Sequence, residues 1–157
     1  MMANFKVYIP SKNREWIIKE TVYRNLPVDV HFVIHKDEKE QYQAEIDKLE
    51  IKNIKLVTVD FFGLQKTRNW IMSECFTDDL DYLVMMDDDI KKVDWAFSKK
   101  LEKLTGAGLI DAVQELYYMT KVFGSKCGSL TAGRGVMTTS RFRPFAIKGK
   151  IYSTCRS

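Results

Sequence analysis

Apolar positions along this chain alternate between short continuous runs and helically spaced stripes. Phe5-Lys6-Val7-Tyr8-Ile9 is β-branched and aromatic and stops at Pro10, which cannot donate to a ladder, so it predicts a first strand. After the loop Ser11-Lys12-Asn13-Arg14, the residues Ile18, Val22 and Leu26 recur every fourth position and predict a helix closed by Pro27. Val28 to Ile34 predicts a second strand, and Asp37 to Glu50 a charged surface helix with Tyr42, Ile46 and Leu49 as its inward stripe. Ile54 to Val59 predicts a third strand. Beyond Asp60-Phe61-Phe62-Gly63 a helix is expected to about Phe76, with Leu64, Thr67, Ile71 and Cys75 on one side and Lys66, Asn69 and Ser73 on the other. The apolar run Tyr82-Leu83-Val84-Met85-Met86 then predicts a fourth strand that stops at Asp87-Asp88-Asp89.

Strands alternating with helices at these spacings imply right-handed crossovers and an α/β fold, a mostly parallel central sheet with helices on both faces. After Ile90 the pattern changes. Leu109, Val113, Leu116, Tyr117 and Thr120 mark one amphipathic helix, and Lys91, Lys92, Lys99, Lys100 and Lys103 suit the outer side of another. From Cys127 to Met137 the chain is rich in Gly, Ser and Thr, which suits a strand and a mobile loop around Arg134. The 157 residues fit a single domain, divided into a β/α half at 5–90 and a second half at 91–157.

Charge sharpens that division. Residues 1–90 carry 12 Lys/Arg against 17 Asp/Glu, whereas residues 91–157 carry 13 against 4, an asymmetry hidden in the total of +4. The basic half suits nucleotide phosphates, a nucleic-acid backbone or the acidic half of the same fold. No apolar run reaches the roughly 20 residues that span a bilayer, and Met1-Met2-Ala3-Asn4-Phe5-Lys6 has no apolar signal core, so a cytoplasmic protein without a membrane span is expected. Cys75, Cys127 and Cys155 stand too far apart for a disulfide framework or zinc knuckle.

In a parallel sheet the carboxyl ends of the strands open on one side and form the ligand crevice. That rule gathers Pro10-Ser11-Lys12-Asn13-Arg14, Asp60 and the three acids despite their separation in sequence. Adjacent carboxylates need cations to offset their repulsion, and hard oxygen donors suit Mg2+ or Mn2+ better than Zn2+. An acidic turn capping the next helix is the simpler alternative. Lys12 and Arg14 offer charge to phosphate, Asp60 can accept from a base or sugar hydroxyl, and the helix after Gly63 begins with an anion-friendly terminus. His31 and His35 share the face of Val33 and read as structural or exposed.

These residues resemble the nucleotide-sugar-binding part of GT-A-type glycosyltransferases. The likeness rests on the first strand running into Pro10-Ser11-Lys12-Asn13-Arg14, on Gly63-Leu64-Gln65-Lys66-Thr67-Arg68-Asn69-Trp70-Ile71, and on the acid triplet, which matches an Asp-x-Asp motif. It covers about residues 5–95. The resemblance implies a metal-dependent transfer of sugar from a nucleoside-diphosphate sugar, a uridine-diphosphate sugar being favoured, to an acceptor hydroxyl. Asp87 and Asp89 would hold Mn2+ or Mg2+ against the diphosphate, and Pro10, Ser11, Lys12, Arg14, Asp60, Lys66, Arg68 and Asn69 would bind the donor. Asp88 and Arg68 are the candidate catalytic residues, Asp88 orienting the ribose or the ligands around the metal and Arg68 adding positive potential. Within the group, Tyr8-Ile9-Pro10-Ser11-Lys12 and Met86-Asp87-Asp88-Asp89-Ile90 look most like the phage-associated transferases that glycosylate hydroxymethylated pyrimidines, so the acceptor side at 91–157 would meet DNA.

The departures bear on turnover. The chain is short for that family, implying a minimal member or one truncated at its C-terminus. It has no His in the second half and no acid there later than Glu115, leaving Asp111 and Glu115 as the only late candidates for a general base. A nucleotidyltransferase on the same sheet is an alternative, although residues 10–16 lack its glycine-rich loop. A phosphatase of the haloacid dehalogenase type would open with its acids and would not carry Lys at position 91. A non-catalytic nucleic-acid-binding module, using Arg141-Phe142-Arg143-Pro144, is the third reading.

Overall fold

The computed structural model of the protein describes residues 4–77, 80–91, 93–97, 100–103, 106–124, 127–130 and 149–153. Its strands are β1 (Phe5–Pro10), β2 (Val30–His35), β3 (Ile54–Val59), β4 (Tyr82–Met86), β5 (Asp94–Phe97), β6 (Lys100–Lys103), β7 (Cys127–Leu130) and β8 (Gly149–Ser153). Three α-helices accompany them: α1 (Lys39–Lys48), α2 (Leu64–Thr77) and α3 (Gly106–Val122). The main sheet runs β3-β2-β1-β4-β8-β7. β3, β2, β1 and β4 are parallel, and β8 and β7 add antiparallel pairs beside β4.

The order of the first four strands places the site. From β1 the chain steps outward to β2 and β3, then returns to the other side of β1 for β4. Because crossovers are right-handed, reversing the direction of travel moves the connecting helix to the opposite face. α1 and α3 therefore share one face, packing Tyr42, Ile46, Leu109 and Val113 on Val7, Ile9, Phe32 and Val84. α2 covers the other, packing Ile71 on Tyr8, Val33, Leu83 and Met85. The gap between the ends of β1 and β4 is the topological switch point, where open α/β sheets bind ligands.

Several elements depart from the sequence reading. The helix expected around Ile18, Val22 and Leu26 is instead two 3₁₀ helices, Glu15–Glu20 and Val22–Asn25. Thr21 between them is extended, and its hydroxyl donates to the Ile18 carbonyl. The break frees the Val22 N–H to donate to the Ile90 carbonyl at 3.1 Å, a long-range bond that helical spacing cannot reveal. Of the lysines after Ile90, Lys100 and Lys103 lie on β6, which pairs antiparallel with β5, and not on a helix, while Lys92 and Lys99 lie outside the described residues. Leu64, read as part of an inward stripe, is 55% exposed, and the buried side of α2 centres on Ile71. β2 starts at Val30, two residues later than its apolar run suggests, and β8, from the far end of the chain, pairs with β4. The Arg134 loop and Arg141-Phe142-Arg143-Pro144 lie outside the described residues.

One core residue offers a stability test. Tyr82 is fully buried, stacked on Tyr117 with ring centroids 4.2 Å apart, and its hydroxyl has no hydrogen-bond partner among the described residues. An unsatisfied buried hydroxyl costs on the order of 1–3 kcal/mol. Tyr82→Phe is therefore expected to raise the urea midpoint by the equivalent of about 1 kcal/mol, and a lower midpoint would show that the hydroxyl is satisfied.

Candidate active site

β4 alternates with period two up to Met86, where the strand ends and the acids begin. Tyr82, Val84 and Met86 face α1 and α3, whereas Leu83 and Met85 face α2. In the turn beyond it, Asp88 meets Ser11, which itself touches Tyr42 of α1, and Asp87 meets Arg68 of α2. Asp88 is 7% exposed. Its Oδ2 accepts from Ser11 Oγ at 2.6 Å and its Oδ1 from Arg14 Nη1 at 2.9 Å. Asp87 Oδ1 accepts from Arg68 Nη2 of α2 at 3.2 Å, and Asp89 Oδ2 lies 4.0 Å from Arg14 Nη1. The repulsion expected of three neighbouring carboxylates is thus relieved by two arginines brought from β1's loop and from α2.

Hydrogen-bond directions around Asp88 follow by elimination. The Ser11 hydroxyl has one proton, and it goes to the carboxylate. The Tyr42 hydroxyl, 2.7 Å away, must then donate to Ser11, while it accepts from the Arg14 backbone N–H at 3.1 Å. Burial pushes the Tyr42 phenol up to about 12, so it keeps that proton. Asn13, in the left-handed region at φ 51°, gives its N–H to Glu38 Oε2 at 2.8 Å. The loop after β1 is thereby anchored on α1 and on the 3₁₀ turn Lys36–Glu38 that precedes it.

The acid loop is held from behind by the segment around Thr21. The Tyr23 hydroxyl donates to the Asp87 carbonyl, and Lys91 donates to the Glu20 carboxylate, holding that carboxyl below its usual range. Burial first, then the charges of Asp87, Asp88 and Asp89, push the Tyr23 phenol far up, so it remains a donor.

A cleft of about 310 Å3 opens at this point, at the lower end of the range for small-molecule sites. Of the residues singled out from sequence, Pro10, Ser11, Lys12, Arg14, Arg68, Asp87, Asp88 and Asp89 line it. Asp60, Lys66 and Asn69 are exposed and are not part of the lining. Asp60 follows β3, the sheet edge two strands from β1, and Lys66 and Asn69 lie on the outer side of α2, opposite Thr67 and Arg68. Asp111 and Glu115 are exposed on α3 and lie outside the lining as well. Every lining residue among those described comes from the first half of the chain.

His35, read from sequence as structural or exposed, is instead buried and lines the cleft. Its ring stacks on Phe62 with centroids 3.8 Å apart, and Lys12 Nζ lies 5.1 Å from the same Phe62 ring. Glu38, Phe61, Phe62, Gly63, Leu64 and Thr67 also line the wall, over Val33, Ile34 and Val59 at the strand ends. Gly63, at φ 115°, makes the turn into α2, whose first turn receives the Thr67 N–H and hydroxyl on the Gly63 carbonyl. The signal for His35 was present, since it ends β2 as Asp87 follows β4, and the strand-end rule applies to both.

The donor set decides what cation would fit. Asp88 is buried with each oxygen bonded to a protein donor, whereas the side chains of Asp87 and Asp89 are 40% and 54% exposed. Among the described residues no group of three or more His, Cys, Asp or Glu is arranged to hold a metal. Two carboxylates on a water-accessible cleft fit Mg2+ or Mn2+, which keep waters and take further oxygens from substrate phosphate rather than from an all-protein cage. No helix among the described residues is long and apolar enough to cross a membrane.

No protein-family model matches the chain, and no curated protein matches it. Solved structures do. S. aureus TarS 1–349 superposes with a TM-score of 0.52 at 17% identity, over 96% of this chain and 47% of that one. The complex of the same protein with UDP gives the same score and identity over 96% and 46%. A Desulfovibrio desulfuricans G20 protein assigned to the nucleotide-diphospho-sugar transferases matches with a TM-score of 0.52 at 13% identity, over 97% and 64%. The chain thus spans about half the length of the TarS chains and 64% of the third. At these identities the likeness speaks for architecture, and the chain has the fold of a nucleotide-diphospho-sugar transferase.

Proposed function

We propose that the cleft binds a nucleoside-diphosphate sugar, a uridine-diphosphate sugar being favoured, and that the protein transfers the sugar to an acceptor hydroxyl. The observation that carries the reading is the meeting of Asp87, Asp89, Arg14 and Arg68 around one cleft at the β1/β4 switch point. Its fold, and the UDP complex known for TarS, support it further. The charge balance supports a metal requirement. Lys12, Arg14 and Arg68 face Glu38, Asp87, Asp88 and Asp89, so the lining is net negative and would repel a diphosphate until a divalent cation reverses its sign.

In this reading Asp87 and Asp89 hold Mn2+ or Mg2+, which supplies charge stabilisation for the departing diphosphate when bound. Arg14 and Arg68 add donors to the phosphate oxygens, and Arg presents them as a fork matched to that shape. Asp88, buried and accepting from Ser11 and Arg14, serves in this reading as a positioning residue, where the sequence suggested a catalytic part. Lys12, Phe62 and His35 form the wall on the β2 side and would flank the nucleoside. For the acceptor we propose DNA, which the basic balance of residues 91–157 supports, with hydroxymethylated pyrimidines as the bases that the resemblance of Tyr8-Ile9-Pro10-Ser11-Lys12 and Met86-Asp87-Asp88-Asp89-Ile90 implies.

A thermal-shift panel tests the donor assignment. Uridine diphosphate and its sugars with Mn2+ are expected to raise the melting temperature, and chelator to remove the shift, because a ligand that binds the native state stabilises it by mass action. A shift that persists in chelator would remove the metal from the site. Absence of any shift, combined with salt-sensitive retention on DNA, would favour the non-catalytic binding module.

A further inference from the structure

We infer that Arg68, with Arg14, holds the place of the divalent cation until the donor arrives, so that binding exchanges guanidinium for metal at the acids and moves the guanidinium onto phosphate. The inference rests on the donor reading above and concerns the order and coupling of binding.

The geometry is specific to these side chains. Arg68 is not an outlying surface residue: it projects from the cleft side of α2 and donates to Asp87, one of the two carboxylates available to a cation. Arg14 reaches the other, lying 4.0 Å from Asp89 while anchored at 2.9 Å on buried Asp88. Both guanidinium groups are near half exposed, at 48% and 42%, so they have room to swing, whereas Asp88 does not. A divalent cation arriving alone has to displace Arg68 from Asp87 and crowd Arg14, and it leaves Arg68 without its carboxylate. A diphosphate arriving alone finds Arg68 engaged and Asp87 and Asp89 facing it. Arriving together, metal and diphosphate remove each other's obstacle, because the metal offsets the acids and the displaced guanidinium finds phosphate oxygens in the same cleft. Two ligands that each remove the other's obstacle bind with positive, reciprocal coupling.

Calorimetric titration of Mn2+ and uridine diphosphate, singly and together, tests the exchange in the parent and in Arg68→Gln. In the parent, saturating uridine diphosphate is expected to tighten Mn2+ binding by roughly tenfold, with the same factor in the reverse direction. Arg68→Gln is expected to bind Mn2+ alone about three- to fivefold more tightly, as the loss of one competing, half-exposed ion pair allows. The same variant should bind the uridine diphosphate–Mn2+ pair about tenfold more weakly, with the coupling factor reduced. Arg68→Lys, which retains charge without the fork, should fall between the two, and a melting temperature near the parent's checks the fold of each. If Arg68→Gln binds Mn2+ no more tightly than the parent while uridine diphosphate binding persists, the exchange is overturned and the donor reading stands. If the parent binds no uridine diphosphate at any Mn2+ concentration, the donor reading fails and the transfer onto phosphate fails with it.

Discussion

Replacing Asp87 and Asp89 together by asparagine is expected to abolish the Mn2+ dependence of nucleotide binding and leave the melting temperature close to the parent's. The fold should survive because both side chains are substantially exposed, and because the Asp87 carbonyl that Tyr23 grips is backbone and remains. The loss should reach roughly two orders of magnitude in affinity for uridine diphosphate at saturating Mn2+, since the charge the metal supplies at a phosphate is worth several kcal/mol. Electrostatics adds a second expectation of opposite sign. Removing two negative charges leaves Lys12, Arg14 and Arg68 in excess over Glu38 and Asp88, so in chelator the double variant should bind uridine diphosphate at least as well as the parent. Isothermal titration with and without Mn2+ reads both effects. A variant that has merely unfolded loses binding in every condition, and one whose acids are irrelevant retains its Mn2+ dependence.

The middle acid is expected to behave in the reverse way. Asp88→Asn should lower stability by about 2–3 kcal/mol, a fall of about 5–10 °C in melting temperature for a chain of this size, even without ligand. Asparagine is nearly the same shape, yet Ser11 Oγ and Arg14 Nη1 both donate to Asp88, and an amide can accept through one atom only. Its NH2 group would face a donor. If Ser11 turned to accept from the amide, its own proton would have to find another partner, because the Tyr42 hydroxyl already donates to Ser11. Tyr42→Phe, which removes one link farther along, should cost about 1 kcal/mol. Differential scanning calorimetry of the two variants ranks the links. Equal melting temperatures for Asp88→Asn and the parent would mean that Asp88 is free to meet substrate after all.

The acids are told apart by what they meet: Asp88 bonds Ser11 and Arg14, Asp89 lies near Arg14, and Asp87 bonds Arg68. Parity sorts Tyr82, Val84 and Met86 from Leu83 and Met85, but β4 ends at Met86, and Asp88 and Asp89 stand in a turn. What the residue pattern does not state is what waits on each side. Ser11 and Tyr42 wait on one, Arg68 on the other, and each comes from a different element. Asp60 illustrates the converse. Its place at the tip of β3 makes it formally equivalent to Asp87, but the order β3-β2-β1-β4 sets it at the edge, and it does not line the cleft. His35 lies on the adjacent strand and does.

By itself the sequence determined the four parallel strands, the three α-helices and the acids at the end of β4, because side-chain period, proline and turn residues act over a few positions and need no distant partner. The tertiary structure alone decided the 3₁₀ break at Thr21, which depends on the Ile90 carbonyl, and the entry of β8 beside β4. It also decided which of the three cleft carboxylates is buried and which two are exposed. Those outcomes turn on contacts between residues tens of positions apart, where neither propensity nor periodicity reaches, and where the direction of each crossover settles which side chains meet.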